Sequence, residues 1–307
     1  MEKRHEGFVT VGMRPFRRDS FPMRLFQKAK RLGIWNPSDI DLSMDKRSWL
    51  AASEEERDGL LGTIAAFQAG EEAVTLDLLP LIQAVALEGR IEEEMFLTSF
   101  LWEEAKHVEF FQRFMQEVAE VGERDLSDYL TPSYRTLFYE RLPQALHRLN
   151  QDPSPKNQLI ASVTYNMIIE GVLAETGYFG FYDQLQVLGD DVFPGLMEGI
   201  GKLKQDESRH IAYGIYLISR IVAANPDLWE VAATEMADLM GLAMRFVNER
   251  MQYQIQKYGR LPRDQDPQKV LTYAGGQYQK RLQRLDRARR QSLAEVEQEA
   301  IAIDLNA

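Results

Sequence analysis

Two segments of the chain place a histidine three residues after a glutamate inside otherwise apolar runs: EEAKH (Glu103 to His107) and DESRH (Asp206 to His210). On a helix, positions i and i+3 share a face about 5 Å apart, so each Glu/His pair can reach one cation. Glu104 shares its stripe with Leu97, Phe100, Leu101, Val108 and Phe111, and Glu207 with Leu196, Ile200, Leu203 and Ile211. Both carboxylates therefore point inward, where an unpaired charge is costly. Two further acids sit in the same way. Glu71 lies on the stripe Ile64, Phe67, Val74, Leu78 and Ile82, while its neighbour Glu72 lies about 100° round the helix. Glu170, in NMIIEGVLAETGY, is surrounded by Met167, Ile168, Ile169, Val172 and Leu173. No arginine on these stripes could neutralise them. A third Glu-x-x-His spacing, Glu2 with His5, falls at the charged terminus and reads as chance.

The order is a glutamate and then Glu-x-x-His, twice, repeating after about a hundred residues. Glu71 precedes the turn LEGR (Leu87 to Arg90) by about as much as Glu104 follows it, so antiparallel neighbours would carry both at one height. Glu170 and Glu207 bracket the turn GDDVFP in the same manner. Four carboxylates and two imidazoles suit two octahedral-leaning ions such as iron and manganese, bridged by carboxylate. Facing helices that supply such a set form the core of ferritin-like di-metal carboxylate proteins.

The elements that must hold these residues are helical throughout, with no convincing strand alternation, so the class is all-α. The expected architecture is a ferritin-like four-helix bundle core with additional helices. Residues 1–50 read as an irregular N-terminal arm packed on the bundle, and residues 51–307 as one helical di-metal domain. Ser53 and Glu56 form a capping box that opens the first long helix, and Pro80 breaks it near its end. Further helices are expected at about 91–120, 132–149 (less regular), 155–188, 194–223, 226–258 (opened by PDLWE) and from 267, the last ending before the tail. The basic segment KRLQRLDRARR (Lys280 to Arg290) reads as a solvated helix face, with an interaction surface as the alternative.

Composition narrows the functions. A net charge of −11 argues against general nucleic-acid binding. The absence of cysteine removes disulfides, thiolate zinc sites and iron–sulfur clusters. No apolar run is long enough for a membrane span, and the charged first twenty residues lack a signal core, so the expectation is a cytoplasmic protein.

Taken together and in this order, AGEEAVT, EEAKH, TYNMIIEG and DESRH resemble the ligand-binding oxidases related to the small subunit of ribonucleotide reductase. The likeness covers most of the chain, from NPSDID at Asn36 to the helix carrying His210. It implies Glu71, Glu104 and His107 on one metal and Glu170, Glu207 and His210 on the other, with some glutamates bridging. It also implies a manganese–iron pair that reacts with dioxygen, a di-iron pair suiting the same donors. A long-chain fatty acid would lie in an apolar channel with its carboxylate near the metals, and an ether cross-link would join Val74 to Tyr165. Asp206 matches an outer aspartate that would orient His107 through its other ring nitrogen. The related families further imply a homodimer. Val74 shares the face of Glu71, but Tyr165 would stand about 140° from Glu170 on a regular helix. A π-bulge near Asn166 would bring it round.

Three other readings fit parts of the pattern. A reductase small subunit usually keeps a radical tyrosine where this chain has Phe111, and a tyrosine on its C-terminal tail; here the last tyrosine is Tyr278. A non-catalytic metal or fatty-acid carrier could use the same bundle. A purely structural helical protein predicts no metal at all.

Overall fold

The computed structural model describes residues 7–185, 192–261 and 266–305, and among them there is no strand. In chain order the α-helices are α1 (Phe21–Leu32), α2 (Ser43–Ala51), α3 (Glu54–Asp77), α4 (Leu79–Leu87), α5 (Ile91–Arg113), α6 (Pro132–Arg135), α7 (Leu142–His147), α8 (Pro155–Ser162), α9 (Glu175–Leu185), α10 (Pro194–Ala224), α11 (Leu228–Tyr258), α12 (Pro267–Ala288) and α13 (Leu293–Leu305). Between α8 and α9 the chain stays helical but widens into a π-helix over Val163–Ala174.

Local chemistry sets the boundaries. Ser53 and Glu56 exchange hydrogen bonds in a reciprocal capping box at the start of α3. Pro80 can enter a helix only in its first turn, so α3 ends and α4 begins at Leu78. Proline also opens α8, α10 and α12. The turn at Leu87–Arg90 contains Gly89 at φ 69°, a left-handed conformation that favours glycine. Of the GDDVFP turn, Gly189, Asp190 and Asp191 lie outside the described residues, as do Glu2 and His5.

Four rods form the core: α3 packs along α5, the π segment along α10, and α5 meets α10. Helices α11 and α12 cover the π segment, and α13 packs on α10 and α1. Two expectations need correction. Residues 1–50 are not wholly irregular, because Phe21, Leu25 and Ala29 form a buried stripe that makes α1 a short amphipathic helix against α5. The tail is helical too, since Ser292 and Glu295 form a second capping box that starts α13. The basic segment closing α12 is partly committed, with Arg284 and Arg287 paired to Glu299 of α13. No helix of the described residues is long and apolar enough to cross a membrane.

Candidate metal centre

The four core rods bring all six residues of the Glu/Glu-x-x-His repeat together. Glu71, Glu104, His107 and Glu207 offer ligand atoms within 4.8 Å of one another, and so do Glu104, Glu170, Glu207 and His210. Glu104 and Glu207 belong to both groups and are the two placed to bridge. All six residues are buried, none more than 5 % exposed.

The inner imidazole nitrogens and the carboxylates crowd one another. His107 Nδ1 stands 3.5 Å from Glu71, 3.4 Å from Glu104 and 3.6 Å from Glu207. His210 Nδ1 stands 3.3 Å from Glu104, 3.5 Å from Glu207 and 3.6 Å from Glu170. Yet both Nδ1 atoms lack a hydrogen-bond partner, as do Glu104 Oε2, Glu170 Oε1 and Glu207 Oε2. Buried polar atoms are rarely left so. Two donors each about 2.1 Å from one ion, at right angles, stand about 3 Å apart, close to the spacings seen. The donor set and its orphaned atoms therefore fit two divalent cations.

Electrostatics agree. Burial drives the carboxyl groups toward their neutral forms: Glu71 is pushed up to about 8, and Glu170 and Glu207 are also raised. Burial opposes charge on His107 and His210, but the surrounding carboxylates outweigh it and hold both imidazoles well above their ordinary value. Glu104, although buried, is held low because it touches both imidazoles. The cluster thus retains protons that bound cations would displace.

The outer ring nitrogens are held reciprocally across the bundle. His107 Nε2 on α5 donates to Asp206 of α10 (3.4 Å), and His210 Nε2 on α10 donates to Glu103 of α5 (2.9 Å). Each bond fixes the tautomer that leaves Nδ1 free to face the cluster. Asp206 also accepts from Trp35 Nε1 (2.8 Å) and Lys106 Nζ (3.1 Å), and it pairs with Arg209. Arg209 reaches Glu103 as well, at 2.5 Å. Burial would raise Asp206, but His107 above all, with Arg209 and Lys106, keeps it well below the usual carboxylate range. Glu103 was not singled out by the sequence reading. Its signal was available, because Glu103–Glu104 and Asp206–Glu207 are the same acidic doublet at equivalent points of the repeat. Phe100 lies flat on His210, with ring centroids 3.6 Å apart and planes 7° from parallel.

The π segment settles where Tyr165 points. Its hydroxyl donates to Glu104 Oε1 at 3.0 Å, while Asn166 donates to Glu170 Oε2 at 2.9 Å. The wider winding is longer than the single bulge expected near Asn166, spanning twelve residues. Gly214 makes room for it, since a Cβ there would stand 2.2 Å from that of Asn166. Val74 and Tyr165 are both buried in the same body of the core. Val74 also lines a cavity of about 190 Å³ that opens from Glu71, Glu104, Glu170 and Glu207. Its walls are mainly apolar, with Phe67, Phe138, Ile169, Leu173 and Met251 among them.

Comparisons with known proteins agree with this geometry. A family described as ribonucleotide reductase, small chain, matches residues 23–261. Among solved structures, an R2-like ligand-binding oxidase is similar as a valine-to-leucine variant with aerobically reconstituted Mn/Fe cofactor. It is 39 % identical, covers 92 % of this chain and 98 % of its own, and superposes with a TM-score of 0.85. A tyrosine-to-phenylalanine variant with the same cofactor is 38 % identical over 92 % of this chain and 98 % of its own, with a TM-score of 0.84. A glycine-to-leucine variant with aerobically reconstituted Fe/Fe cofactor is 39 % identical over 92 % and 99 %, with a TM-score of 0.84.

Proposed function

The chain belongs to the ribonucleotide reductase small-chain family, among its R2-like ligand-binding oxidases, and from that membership we propose how its own residues serve a dioxygen-dependent di-metal oxidase. The observation that carries the reading is the pair of overlapping ligand groups, shared at Glu104 and Glu207, with imidazole and carboxylate atoms that have no hydrogen-bond partner. Glu71, Glu104 and His107 would hold one ion, and Glu170, Glu207 and His210 the other, as manganese and iron, with di-iron as the second form. Bound there, the metal pair would supply two of the four electrons that the reduction of dioxygen requires.

The chain's residues do the rest. Asp206 and Glu103 fix the imidazole tautomers and strengthen their donation. Phe100, Phe111, Met167 and Ile168 keep bulk water away, so that oxidising equivalents reach a nearby C–H bond and are not lost. Tyr165, hydrogen-bonded to Glu104, presents its phenol oxygen to the centre, and burial with the adjacent carboxylates keeps that phenol protonated. The proposed ether forms between Tyr165 Oη and a side-chain carbon of Val74. It removes one O–H and one C–H hydrogen, and their two electrons complete the reduction of dioxygen to water.

The apolar cavity that opens from the four carboxylates supports a fatty-acid ligand with its carboxylate at the metals. A cytoplasmic homodimer completes the proposal. Exposed Leu76, Leu79 and Leu87 along α3 and α4 supply apolar surface for a second copy, and sedimentation tests it. The test of the oxidase is to load Mn(II) and Fe(II) without oxygen, admit air, and digest. A single peptide joining the Val74 and Tyr165 segments, two hydrogens lighter than their sum, is expected. Separate unmodified peptides from protein holding both ions would refute the cross-link, and failure to retain either ion would refute the metal centre.

A further inference from the structure

The cavity that begins at the carboxylates ends on a cation. Its far wall is a stripe of α11, with Phe246, Val247, Arg250, Met251 and Gln254 facing it. Among the described residues Arg250 makes no hydrogen bond or ion pair; its guanidinium lies only over the rings of Tyr129 and Tyr253, at 6.0 and 5.9 Å. The nearest acid on that wall is already committed. Asp58 accepts from Tyr129 (2.8 Å), Lys257 (2.8 Å) and Gln254 Nε2 (3.2 Å). Gln254 is itself 4 % exposed, and its Oε1 has no partner. Burial, the largest influence on Arg250, holds its guanidinium below the ordinary value. The site is shaped around this cation: a Cβ on Gly62 would come within 2.4 Å of Arg250 Nη2. Half-buried Arg250 thus lines an apolar cavity with N–H donors that no protein acceptor holds, and they are open to an acceptor on a ligand.

Position sets the length of what fills it. The guanidinium abuts Gly62, and Glu71 lies nine residues further along the same helix α3. At 1.5 Å per residue the two ends of the cavity are about 14 Å apart. An extended chain advances about 1.2 Å per bond, as three backbone bonds cover some 3.3–3.6 Å, so about eleven or twelve bonds span the gap. We propose that Arg250 is a second anchor for the ligand. It receives an anionic group at the far end of an acyl chain whose first carboxylate lies at the metals. The ligand class is therefore an α,ω-bifunctional chain of about a dozen carbons, such as a dicarboxylic acid, stretched between two polar ends across a dry middle. This deepens the reading of the cavity as a fatty-acid site and rests on it.

The test measures displacement of a fluorescent fatty acid from the metal-loaded protein by saturated monoacids, ω-hydroxy acids and α,ω-diacids of about eight to sixteen carbons. Near the dozen-carbon length the diacid is expected to bind about tenfold tighter than the monoacid, with the ω-hydroxy acid close to the monoacid. In Arg250→Gln the diacid advantage disappears or reverses, while monoacid affinity and metal content stay as in the parent. No preference for the diacid in the parent protein overturns the proposal without any variant. So does an ω-hydroxy acid that matches the diacid, or a diacid preference that survives Arg250→Gln. If no acid of any kind displaces the probe from protein holding both ions, the fatty-acid reading itself has failed, which is a different result from a missing second anchor.

Discussion

Helix α5 carries two pairs of buried acids about 16 Å apart, and the surroundings of the first pair and of Glu104 in the second differ completely. Glu92 and Glu93, in its first turn, are fully served by the fold. Arg14 forks onto Glu92 at 2.8 and 2.6 Å, and the Arg17 amide adds a third bond at 2.8 Å. Glu93 receives Tyr213 (3.0 Å), Arg90 (3.3 Å) and Arg220 (3.3 Å). Three turns on, Glu104 meets only imidazoles, a phenol and other acids, and one of its oxygens has no hydrogen-bond partner. The same residue type at the same depth therefore serves two ends. Where arginine answers the charge, the acid is part of the scaffold; where nothing does, the site is built for a cation supplied from outside.

The largest effect that would break this contrast is on metal content. Glu104→Gln should cost both ions, by more than about a thousand-fold in affinity, because even outer partners of metal ligands are worth about 10- to 100-fold. Glu92→Gln should leave the metal content unchanged. Elemental analysis after loading decides it, and the opposite pattern would invert the assignment of the two clusters.

Much of this was legible in the chain, for a physical reason. A glutamate on an apolar stripe without arginine is a local contradiction, and four of them at one height imply a common remedy. Helix ends were legible because serine caps and prolines act locally. The π segment was not readable as such, since VTYNMIIEGVLA is apolar on every side and carries no period to separate one winding from another. Only the misplaced Tyr165 betrayed it. The repeated acidic doublet points to Glu103, but its pairing with His210 on another helix is not contained in spacing along α5. Arg250 was hidden, its isolation being a property of the cavity.

The second test uses pH, where the two clusters have opposite signs. Glu71 in the metal-free protein stands at about 8, above its value in the unfolded chain. Its contribution to stability is then fully present below about pH 4.5 and lost as pH rises toward 8; the raised imidazoles act in the same direction. The melting temperature of metal-free protein should therefore fall over that window. Saturating metal should restore about 4 kcal/mol when present at roughly a thousand times its dissociation constant. Glu92 behaves in reverse. Burial alone would raise it, but Arg14 and the Arg17 amide hold it at about 2, so its contribution is present above about pH 4.5 and lost as pH falls through 2. Glu92→Gln should cost about 2 to 3 kcal/mol at neutral pH, tempered by the partial exposure of Arg14, and close to nothing near pH 2. Urea unfolding at both pH values measures it, and an equal loss at each would mean that packing, not charge, holds Glu92 in place.

The smallest effect sharpens the comparison most, because it concerns an acid that belongs to both worlds. Glu103 is answered by Arg209, like Glu92, yet it also accepts from the outer nitrogen of His210. In Glu103→Gln the amide oxygen can still receive that N–H, so the imidazole keeps its orientation and loses only the negative charge that strengthens its donation. Arg209 retains Asp206 as a partner, which limits the damage to the fold. The expected outcome is a loss of about tenfold in metal affinity, the lower end of the range for outer partners, with metal-free stability changed by less than about 1 kcal/mol. Asp206→Asn should instead lower both, because it strips the buried Lys106 of its charge partner. An unchanged metal affinity in Glu103→Gln would assign the orientation and basicity of His210 to the flat Phe100 ring that covers it, and would leave Glu103 a scaffold acid like its neighbours in the first turn.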